Sequence, residues 1–331
     1  MNVYAGDNKK MLNMLILEIL KDYTDADHRL TQQEIIDLLK LNYGAECNRR
    51  SIRNNIRSLK DMGYEIATEC GCYLAEREFD DAELRMLIDS VLFSKNLSGA
   101  QAKRLIAKLK GFGNRYFHAK VAHVCNLPEL FHSDNKQAML ALDILNDAIE
   151  EKKKVSFIYN CYGTDFKLHP RRDEPYIVNP YQLVANNGRY YLIGNYDKYD
   201  DLSHYHIDRI TSVIMLSEPV KPKKEVREFS HEWSLPKHMA EHIYMYSGDS
   251  VTVKFIANID LMDELVDWFG SDIRIEEKSE NKMLVTLKCN ERAMKYWALQ
   301  YGGHIEIKEP PSLREAVKAA VLDMAKKYAD D

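Results

Sequence analysis

Apolar side chains recur at helical spacing through the first sixty or so residues and predict three successive helices. The apolar face of the first helix consists of Met11, Leu12, Leu15, Ile16 and Ile19. The second helix begins at a capping box, in which the side chains of Thr31 and Glu34 accept from each other's backbone amides, and it ends at Gly44. The third helix is predicted over 48–62, with Gly63 as its C-terminal cap.

A short hairpin is predicted directly after the third helix. Residues 64–69 and 73–75 have the composition of strands, and Cys70-Gly71-Cys72 forms the turn between them. Three helices followed by a hairpin is the order of a winged helix-turn-helix, which we expect over residues 1–78. A metal site is the alternative for this turn, but one Cys-x-Cys pair supplies only two of the four ligands of a structural zinc site.

The middle of the chain changes from helical to strand-like spacing. Residues 79–152 are predicted to be helical, and we expect them to connect domains and to take part in dimerisation. Residues 153–217 contain short strand-like runs, which we predict over 181–184, 189–196 and 204–210. Asn186-Asn187-Gly188 is predicted to be a hairpin turn, because Asn and Gly accept positive φ at little cost. Residues 218–247 contain prolines and lysines and are predicted to be a linker with a short helix.

Strands and helices alternate in residues 248–331 in the order β-α-β-β-α-β, which predicts a ferredoxin-like domain. A last helix follows Pro310-Pro311, and we expect Ser312 and Glu315 to cap it. The predicted apolar face of this helix is Leu313, Val317, Ala320, Val321, Met324 and Tyr328. The chain as a whole is therefore expected to be an α+β multidomain protein.

Composition limits the possible functions. The 331 residues carry a net charge of −5, with 45% apolar and 29% charged residues, so any nucleic-acid binding must come from a local basic surface. No apolar run is long enough to span a membrane, and residues 1–10 lack the apolar core of a signal peptide. Six scattered cysteines favour reduced thiols over a disulfide framework. We therefore expect a cytoplasmic protein that needs no cofactor.

The third helix concentrates positive charge. Residues 46–60 hold five Arg or Lys residues against the single acid Glu46, and the arginines at 49, 53 and 57 form one stripe opposite the apolar face. Arg can donate two hydrogen bonds to guanine and Asn can pair with adenine, while both can hold phosphate. The predicted DNA-binding residues are Arg49, Arg50, Arg53, Asn54, Arg57 and Lys60. The alternative is an ordinary solvated basic face, and the capping box and following hairpin favour the DNA-binding interpretation.

The strand region resembles a known family. Pro180-Tyr181-x-Leu183, Tyr190-Tyr191-Leu192 and the run Tyr205–Ile210 match, in order and spacing, the elements of the WYL domain, with Tyr190 where the family has Trp. The resemblance implies an Sm/SH3-like β-barrel over 153–217 that binds nucleic acid or a nucleotide and signals to a DNA-binding domain. Arg50–Ile56 also resembles the recognition helix of regulators in this family, and such bacterial regulators often carry a C-terminal extension.

The ligand surface implied by this resemblance lies on the second and third predicted strands of the barrel. In a regular third strand, His204 and His206 share one face and Arg209 lies on the other. The family pattern has Arg where this chain has Ser203 and His206, so Lys167, His169, Arg171 and Arg172 are expected to compensate for the missing charge. The predicted ligand-binding residues are Tyr181, Tyr190, His204, His206, Arg209 and Arg171. Core packing is the alternative role for the tyrosines, since rings beside cations suit both a barrel core and stacked bases.

These observations predict a homodimeric, ligand-responsive transcriptional regulator whose partners are operator DNA and a nucleic-acid or nucleotide effector. One rival is an accessory module that binds RNA or single-stranded DNA for an effector enzyme. A second rival is a metal-dependent hydrolase that uses His204 and His206, although two ligands do not make a site. The sequence contains no phosphate loop, nucleophile elbow or zinc-protease motif, so we expect no catalytic residues and no metal.

Overall fold

A computed structural model describes residues 11–121, 135, 137–230 and 233–329 of the chain. Residues 1–10 and Cys125 lie outside this range. The expectation about a signal peptide refers to the former, and the expectation about reduced thiols refers in part to the latter. The fold is mixed α/β, and the chain divides into two compact units, Met1–Lys136 and Gln137–Asp331. None of the described helices is both long and apolar enough to cross a membrane.

The first unit begins with three helices and a hairpin, in the order that the sequence predicts. The elements are α1 (Leu12–Tyr23), α2 (Gln32–Tyr43), α3 (Arg49–Asp61), β1 (Ile66–Ala67) and β2 (Tyr73–Leu74). The capping box of Thr31 and Glu34 is present at the start of α2, and Gly44 ends that helix at a φ of 65°. Ile16, Ile35 and Ile52, one from each helix, are fully buried in a shared core. Burial of apolar faces therefore fixes the packing of the three helices.

Three further helices complete the first unit: α4 (Asp81–Leu92), α5 (Gly99–Lys110) and α6 (Arg115–Val121). Capping boxes start α4 and α5, as the polar residues Asp80 and Ser98 accept from the first free amides. These helices have a small core of their own, and polar contacts join them to α1. Arg77 donates to the backbone oxygens of Lys21 and Thr24 at 2.8 and 2.6 Å, and the Asn114 side chain donates to Thr24 O at 3.0 Å.

The second unit opens with α7 and a curled antiparallel sheet. The elements are α7 (Ala138–Glu150), β3 (Lys153–Tyr162), β4 (Leu168–Pro170), β5 (Tyr176–Asn186), β6 (Arg189–Tyr196), β7 (Leu202–His206) and β8 (Ile210–Pro219). The strand order is β4-β3-β5-β6-β7, and β8 pairs back onto β3, which curls the sheet around a core. Phe157, Leu192 and Ile207 are fully buried in this core, together with Leu145 of α7.

Two predicted strands of this sheet have different bounds in the structure. The strand predicted over 181–184 is much longer, since β5 covers Tyr176–Asn186. The regular strand predicted over 204–210 is wrong, because β7 ends at His206 and Ile207–Arg209 forms a 3₁₀ turn. The turn lets both Ile207 and the Asp208 side chain point inward, where Ile207 joins the core and Asp208 meets Arg189. Strand alternation therefore does not apply to Arg209.

The segment predicted to be a linker, residues 218–247, is packed against the sheet through residues 220–230 and 233–245. Val226, Phe229 and Met245 of this segment form a second cluster with the sheet residues Tyr181 and Ile193. The segment contains α8 (Leu235–Glu241), which is close to the predicted position of a short helix. Its proline and lysine content predicted a linker, yet six apolar side chains spread along it pack with the sheet: Val220, Val226, Phe229, Leu235, Met239 and Met245.

The chain ends in a four-stranded antiparallel sheet covered by helices, which we call the C-terminal sandwich. Its elements are β9 (Ser250–Asn258), α9 (Met262–Phe269), β10 (Arg274–Ser279), β11 (Lys282–Asn290), α10 (Glu291–Gln300), β12 (Ile305–Glu309) and α11 (Pro311–Tyr328). The strand order is β10-β11-β9-β12, around a core that includes Phe255 and Trp297.

The predicted cap of the last helix is wrong. Helix α11 begins at Pro311 after Pro310, without a side-chain cap. Ser312 therefore lies inside the first turn, and its hydroxyl donates to Glu291 at 2.6 Å instead. Of the predicted apolar face, Leu313 is buried but Val321, Met324 and Tyr328 are exposed in the chain as described, because α11 packs on the sandwich only through its first turns.

Candidate nucleic-acid interface and ligand face

Helix α3 presents a continuous basic face. The Asn48 side chain caps the helix by accepting from the Ser51 amide at 2.9 Å, and Ile52, Ile56 and Leu59 are buried. Since these residues fix the inner face, the side chains between them must point to solvent. All six predicted DNA-binding residues are exposed: Arg49, Arg50, Arg53, Asn54, Arg57 and Lys60. The structure therefore brings the whole predicted set to one accessible surface.

The cations of α3 are not neutralised within the described part of the chain. Arg49 donates to the amide oxygen of Gln33 at 3.3 Å, and Lys60 lies 3.4 Å from the hydroxyl of Thr68. Neither partner is charged, and no described carboxylate forms an ion pair with any cation of α3. Exposed cations without acidic partners remain able to contact phosphate.

A shallow groove of about 360 Å³ runs between α3 and the hairpin β1–β2. It is lined by Gln32, Arg53, Ile56, Arg57, Lys60, Thr68 and Cys72. Arg53, Arg57 and Lys60 thus line the side of the groove that α3 forms, and the hairpin forms the other side. Cys72 is buried against Leu30, and desolvation raises the pKa of its thiol, which favours the neutral form. No group of metal-binding side chains occurs among the described residues here or elsewhere.

The curled sheet of β3–β8, called the barrel from here on, gathers a second charged cluster, which we call the ligand face because the sequence predicts a ligand there. It consists of Tyr159, Arg171, Arg189, Tyr191, His206, Asp208 and Arg209. Asp208 is fully buried and accepts from Arg189 at 2.6 Å, and His206 Nδ1 lies 3.8 Å from its other carboxylate oxygen. Strand pairing brings Arg189 and Asp208 together. Tyr191 pairs with His206, Arg189 lies two residues before Tyr191, and Asp208 lies two residues after His206.

Electrostatics keep His206 uncharged. Burial, together with the positive charges of Arg209 and Arg189, lowers the pKa of His206 to about 3. Burial also raises the pKa of the Asp208 carboxyl, although Arg189 and Arg209 oppose that shift. The ligand face therefore contributes three arginines and one carboxylate at neutral pH, and His206 contributes a neutral ring.

Aromatic rings surround these charges. The ring centroids of His206 and Tyr191 are 4.5 Å apart, and the Tyr159 hydroxyl accepts from the His206 backbone amide at 3.1 Å. Arg171 lies 5.9 Å from the Tyr159 ring, and Arg209 lies at the same distance from the ring of Tyr162. Tyr190, on the same strand as Tyr191, is 41% exposed. Rings next to cations can stack bases while the cations hold phosphates.

Of the six predicted ligand-binding residues, His206, Arg209 and Arg171 belong to the ligand face, and Tyr190 is the exposed neighbour on β6 of its member Tyr191. Tyr181 and His204 lie elsewhere, in the part of the sheet that residues 220–230 and 233–245 cover. Tyr181 donates its hydroxyl hydrogen to Lys221 O at 2.8 Å and its ring contacts Phe229 edge-on. His204 contacts His238 of α8. Both side chains thus have structural partners that the sequence pattern did not reveal.

Two residues of the ligand face, Arg189 and Asp208, were absent from the predicted set. Arg189 follows the Asn187-Gly188 turn, and its position at the first residue of β6 resembles that of an ordinary exposed strand end. The pair is separated by 19 positions and meets only through the β6–β7 register. A charge on each of two adjacent predicted strands was the one available signal.

Comparisons with known proteins identify two domains. Residues 141–215 match the WYL domain, and residues 249–325 match the WCX domain. Over its whole length the chain is similar to the uncharacterized HTH-type transcriptional regulator YobV of Bacillus subtilis (strain 168). The two are 21% identical over 339 residues, which cover 97% of this chain and 98% of that protein.

Solved structures give weaker likenesses. Proteasome accessory factor B/C (PafBC) of Arthrobacter aurescens aligns with 99% of this chain and 50% of its own, at 15% identity and a TM-score of 0.30. This chain thus spans half the length of that PafBC chain. A CRISPR Cas-related protein aligns with 76% of this chain and 75% of its own, at 15% identity and a TM-score of 0.39.

Proposed function

Since this chain belongs to the WYL-domain family of transcriptional regulators, we propose that it binds operator DNA and that a ligand held by its barrel alters this binding. The observation that carries the proposal is the exposed basic face of α3, whose cations have no acidic partner in the described structure. In this proposal the chain is a binding protein and not an enzyme.

Residues 1–78 act as a winged helix-turn-helix in this proposal. A recognition helix inserts its N-terminal half into the major groove, so Arg49, Arg50, Arg53 and Asn54 contact bases or the nearest phosphates. Arg57 and Lys60 lie farther along α3, beside the groove that the hairpin closes, and contact the phosphate backbone. Base specificity and general affinity are thereby divided between the two halves of one helix.

The ligand face binds a short single strand or a nucleotide. Arg171, Arg189 and Arg209 offer positive charge for phosphates, and the exposed Tyr190 offers a ring for a base. The neutral ring of His206 stacks or hydrogen-bonds but adds no charge. Because Asp208 offsets one arginine, the net charge of the face is about +2, which suits a ligand with few phosphates better than a long polyanion.

Regulation follows from dimerisation in this proposal. One winged helix reads few base pairs, so two copies related by a twofold axis are needed for a specific operator. The middle helices and the C-terminal sandwich join the subunits, and the exposed apolar part of α11 suits such a contact. A ligand that binds one dimer geometry more tightly shifts the population toward it and thereby changes the spacing of the two recognition helices.

The test is fluorescence anisotropy of the protein on a duplex from its own upstream region, with a scrambled duplex as control. We expect preference for the native duplex and a change in its affinity when a short single-stranded oligonucleotide is added. The double variant Arg53→Ala/Arg57→Ala should lose duplex binding and keep oligonucleotide binding. The double variant Arg104→Ala/Lys108→Ala, which removes two exposed cations from α5, is the charge-matched control and should bind as the parent does.

Two results contradict the proposal. Equal weak binding to both duplexes, combined with tight oligonucleotide binding, favours an accessory module in which the barrel is the primary site. Tight duplex binding that no oligonucleotide or nucleotide alters would leave the DNA-binding part standing and remove the ligand-response part.

A further inference from the structure

Three histidines form a cluster away from the ligand face. His204 projects from β7, and His238 and His242 lie one turn apart on and directly after α8. The ring centroids are 5.1 Å apart for His204 and His238, 5.2 Å for His204 and His242, and 4.2 Å for His238 and His242. His238 and His242 are only 6% and 5% exposed. Three titratable rings thus share one buried contact.

The hydrogen bond between His204 and His238 requires that at least one of the two rings is neutral. Nε2 of His204 lies 2.8 Å from Nε2 of His238, so one nitrogen must carry the hydrogen and the other must accept it. If both rings were protonated, two N–H groups would face each other at this distance. Nδ1 of His204 and Nδ1 of His242 are also buried and have no partner among the described residues. A proton added to either atom would have no acceptor there.

Few compensating charges face the cluster. Glu241 of α8 favours the charged form of His238, but Glu241 is already paired with Lys288 of β11 at 3.4 Å. Lys288 and His238 disfavour a charge on His242, and His238 and His242 disfavour a charge on His204. Burial is the largest influence and lowers the pKa of His238 to about 4 and that of His242 to about 3. Burial likewise moves the pKa of His204 well below its usual value.

The segment around α8 joins two parts of the second unit. Leu235, Met239 and Met245 pack on the barrel side, in the cluster that contains Tyr181. Ile243 is buried in the core of the C-terminal sandwich, and Tyr244 contacts Trp268 there. Whatever holds α8 against β7 therefore also holds the barrel to the sandwich.

We propose that His204, His238 and His242 form an uncharged latch that fastens α8 to the barrel, and that mild acid opens the latch. Opening loosens the connection between the barrel and the C-terminal sandwich. His204 and His206 lie two residues apart on β7, one in the latch and one on the ligand face, so the same strand serves both. The latch acts in addition to the proposed DNA and ligand binding and does not depend on either.

The direction of the pH effect follows from the lowered pKa values. In the open state each ring has a pKa of about 6.5, whereas in the closed latch burial lowers the pKa of His238 to about 4 and that of His242 to about 3, and moves that of His204 well below its usual value. The closed state is therefore fully stable above about pH 7 and loses stability as the pH falls below the open-state value. Between pH 7.5 and 5.5 each histidine favours opening by about tenfold, so three together give about 1000-fold.

Hydrogen exchange of the full-length protein tests the latch, with a chelator present to exclude metal binding. The reporters are the amides of His238, His242 and Met245, which donate to Ser234 O, His238 O and His242 O at 3.0, 3.0 and 2.8 Å. Their protection factors, corrected for the intrinsic pH dependence of exchange, should fall about 1000-fold from pH 7.5 to 5.5. Amides of β9 in the sandwich core should keep their protection.

Single variants identify the titrating groups. His204→Gln and, separately, His242→Gln remove one titrating ring each, so the loss of protection should shrink to about 100-fold. His304→Gln changes an exposed histidine of the sandwich and should leave the loss at about 1000-fold. Protection that changes less than tenfold in the parent, variants that keep the full dependence, or β9 amides that lose protection in parallel would each overturn the latch.

Discussion

Helix α3 and the ligand face each gather several arginines, but water reaches the two sets to different degrees. The cations of α3 are exposed and lack acidic partners in the described structure, whereas Arg189 is only 22% exposed and binds a carboxylate that is fully buried. Exposed charges interact weakly with each other and are screened by salt, so α3 can exchange counterions for phosphates. The buried ion pair of Arg189 and Asp208 is fixed in position, so the ligand face can select ligands by their shape.

The largest effect that separates the two faces should come from Arg189→Ala. This change leaves the Asp208 carboxylate buried without its ion-pair partner, and we expect a loss of about 3 kcal/mol in the free energy of unfolding of the second unit. Urea unfolding at neutral pH measures it. The matched control is Arg274→Ala, which breaks an exposed pair with Glu276 and should cost less than about 1 kcal/mol. Equal losses would show that the Arg189 pair is effectively solvated.

A second prediction divides α3 itself. Arg53→Ala should weaken binding to the native duplex by about 1–3 kcal/mol and reduce the preference over a scrambled duplex, because Arg53 lies in the base-reading half. Arg57→Ala should weaken binding to both duplexes alike and lower the salt slope of the binding constant by about 1, because one phosphate contact is lost. Anisotropy titrations at several salt concentrations measure both. If the two variants behave identically, the proposed division of α3 is wrong.

The same contrast explains what the sequence could predict. The bounds of α3 and its inner face depend on neighbours within one or two turns, so local spacing was sufficient. The Arg189–Asp208 pair depends on strand register, and the turn after His206 depends on the burial of Ile207 and Asp208. Neither the strand register nor this turn can be predicted from the two-residue alternation of apolar and polar side chains along a strand.

The assignment of Tyr181 and His204 to the ligand face illustrates a related limit. Alternation along β5 and β7 distinguishes two faces of the sheet, but it does not say what covers each face. Residues 220–230 and 233–245 cover the part of the sheet that carries these two side chains, and their prolines and lysines gave that segment the composition of a linker. His204 and His206 lie on the same face of β7, yet only His204 contacts α8, so long-range packing decides which part of a face remains available to a ligand.

A third prediction makes the ligand face more like α3. His206→Arg places a permanent charge beside Arg189 and Arg209, in the position where the family resemblance implies arginine. We expect tighter binding of a short single-stranded oligonucleotide and a salt slope that is larger by about 0.7, since one more phosphate is neutralised. His206→Gln is the neutral control and should leave the salt slope unchanged. An unaltered slope in the arginine variant would mean that the ligand phosphates lie away from residue 206.

The smallest expected effect concerns pH, and it tests whether His206 is the neutral member of a charged face. Its pKa of about 3 leaves roughly one ring in a thousand protonated at pH 6, so oligonucleotide affinity should change less than twofold between pH 8 and 6. Opening of the acid-sensitive latch could also change the affinity, so the titration is repeated with the His204→Gln variant. This variant weakens the pH response of the latch and leaves the residues of the ligand face unchanged. A flat profile in both proteins supports a neutral His206. Binding that tightens severalfold at pH 6 in both would show that His206 takes up a proton from solvent when an anionic ligand arrives, and the ligand face would then resemble α3 more than its buried ion pair indicates.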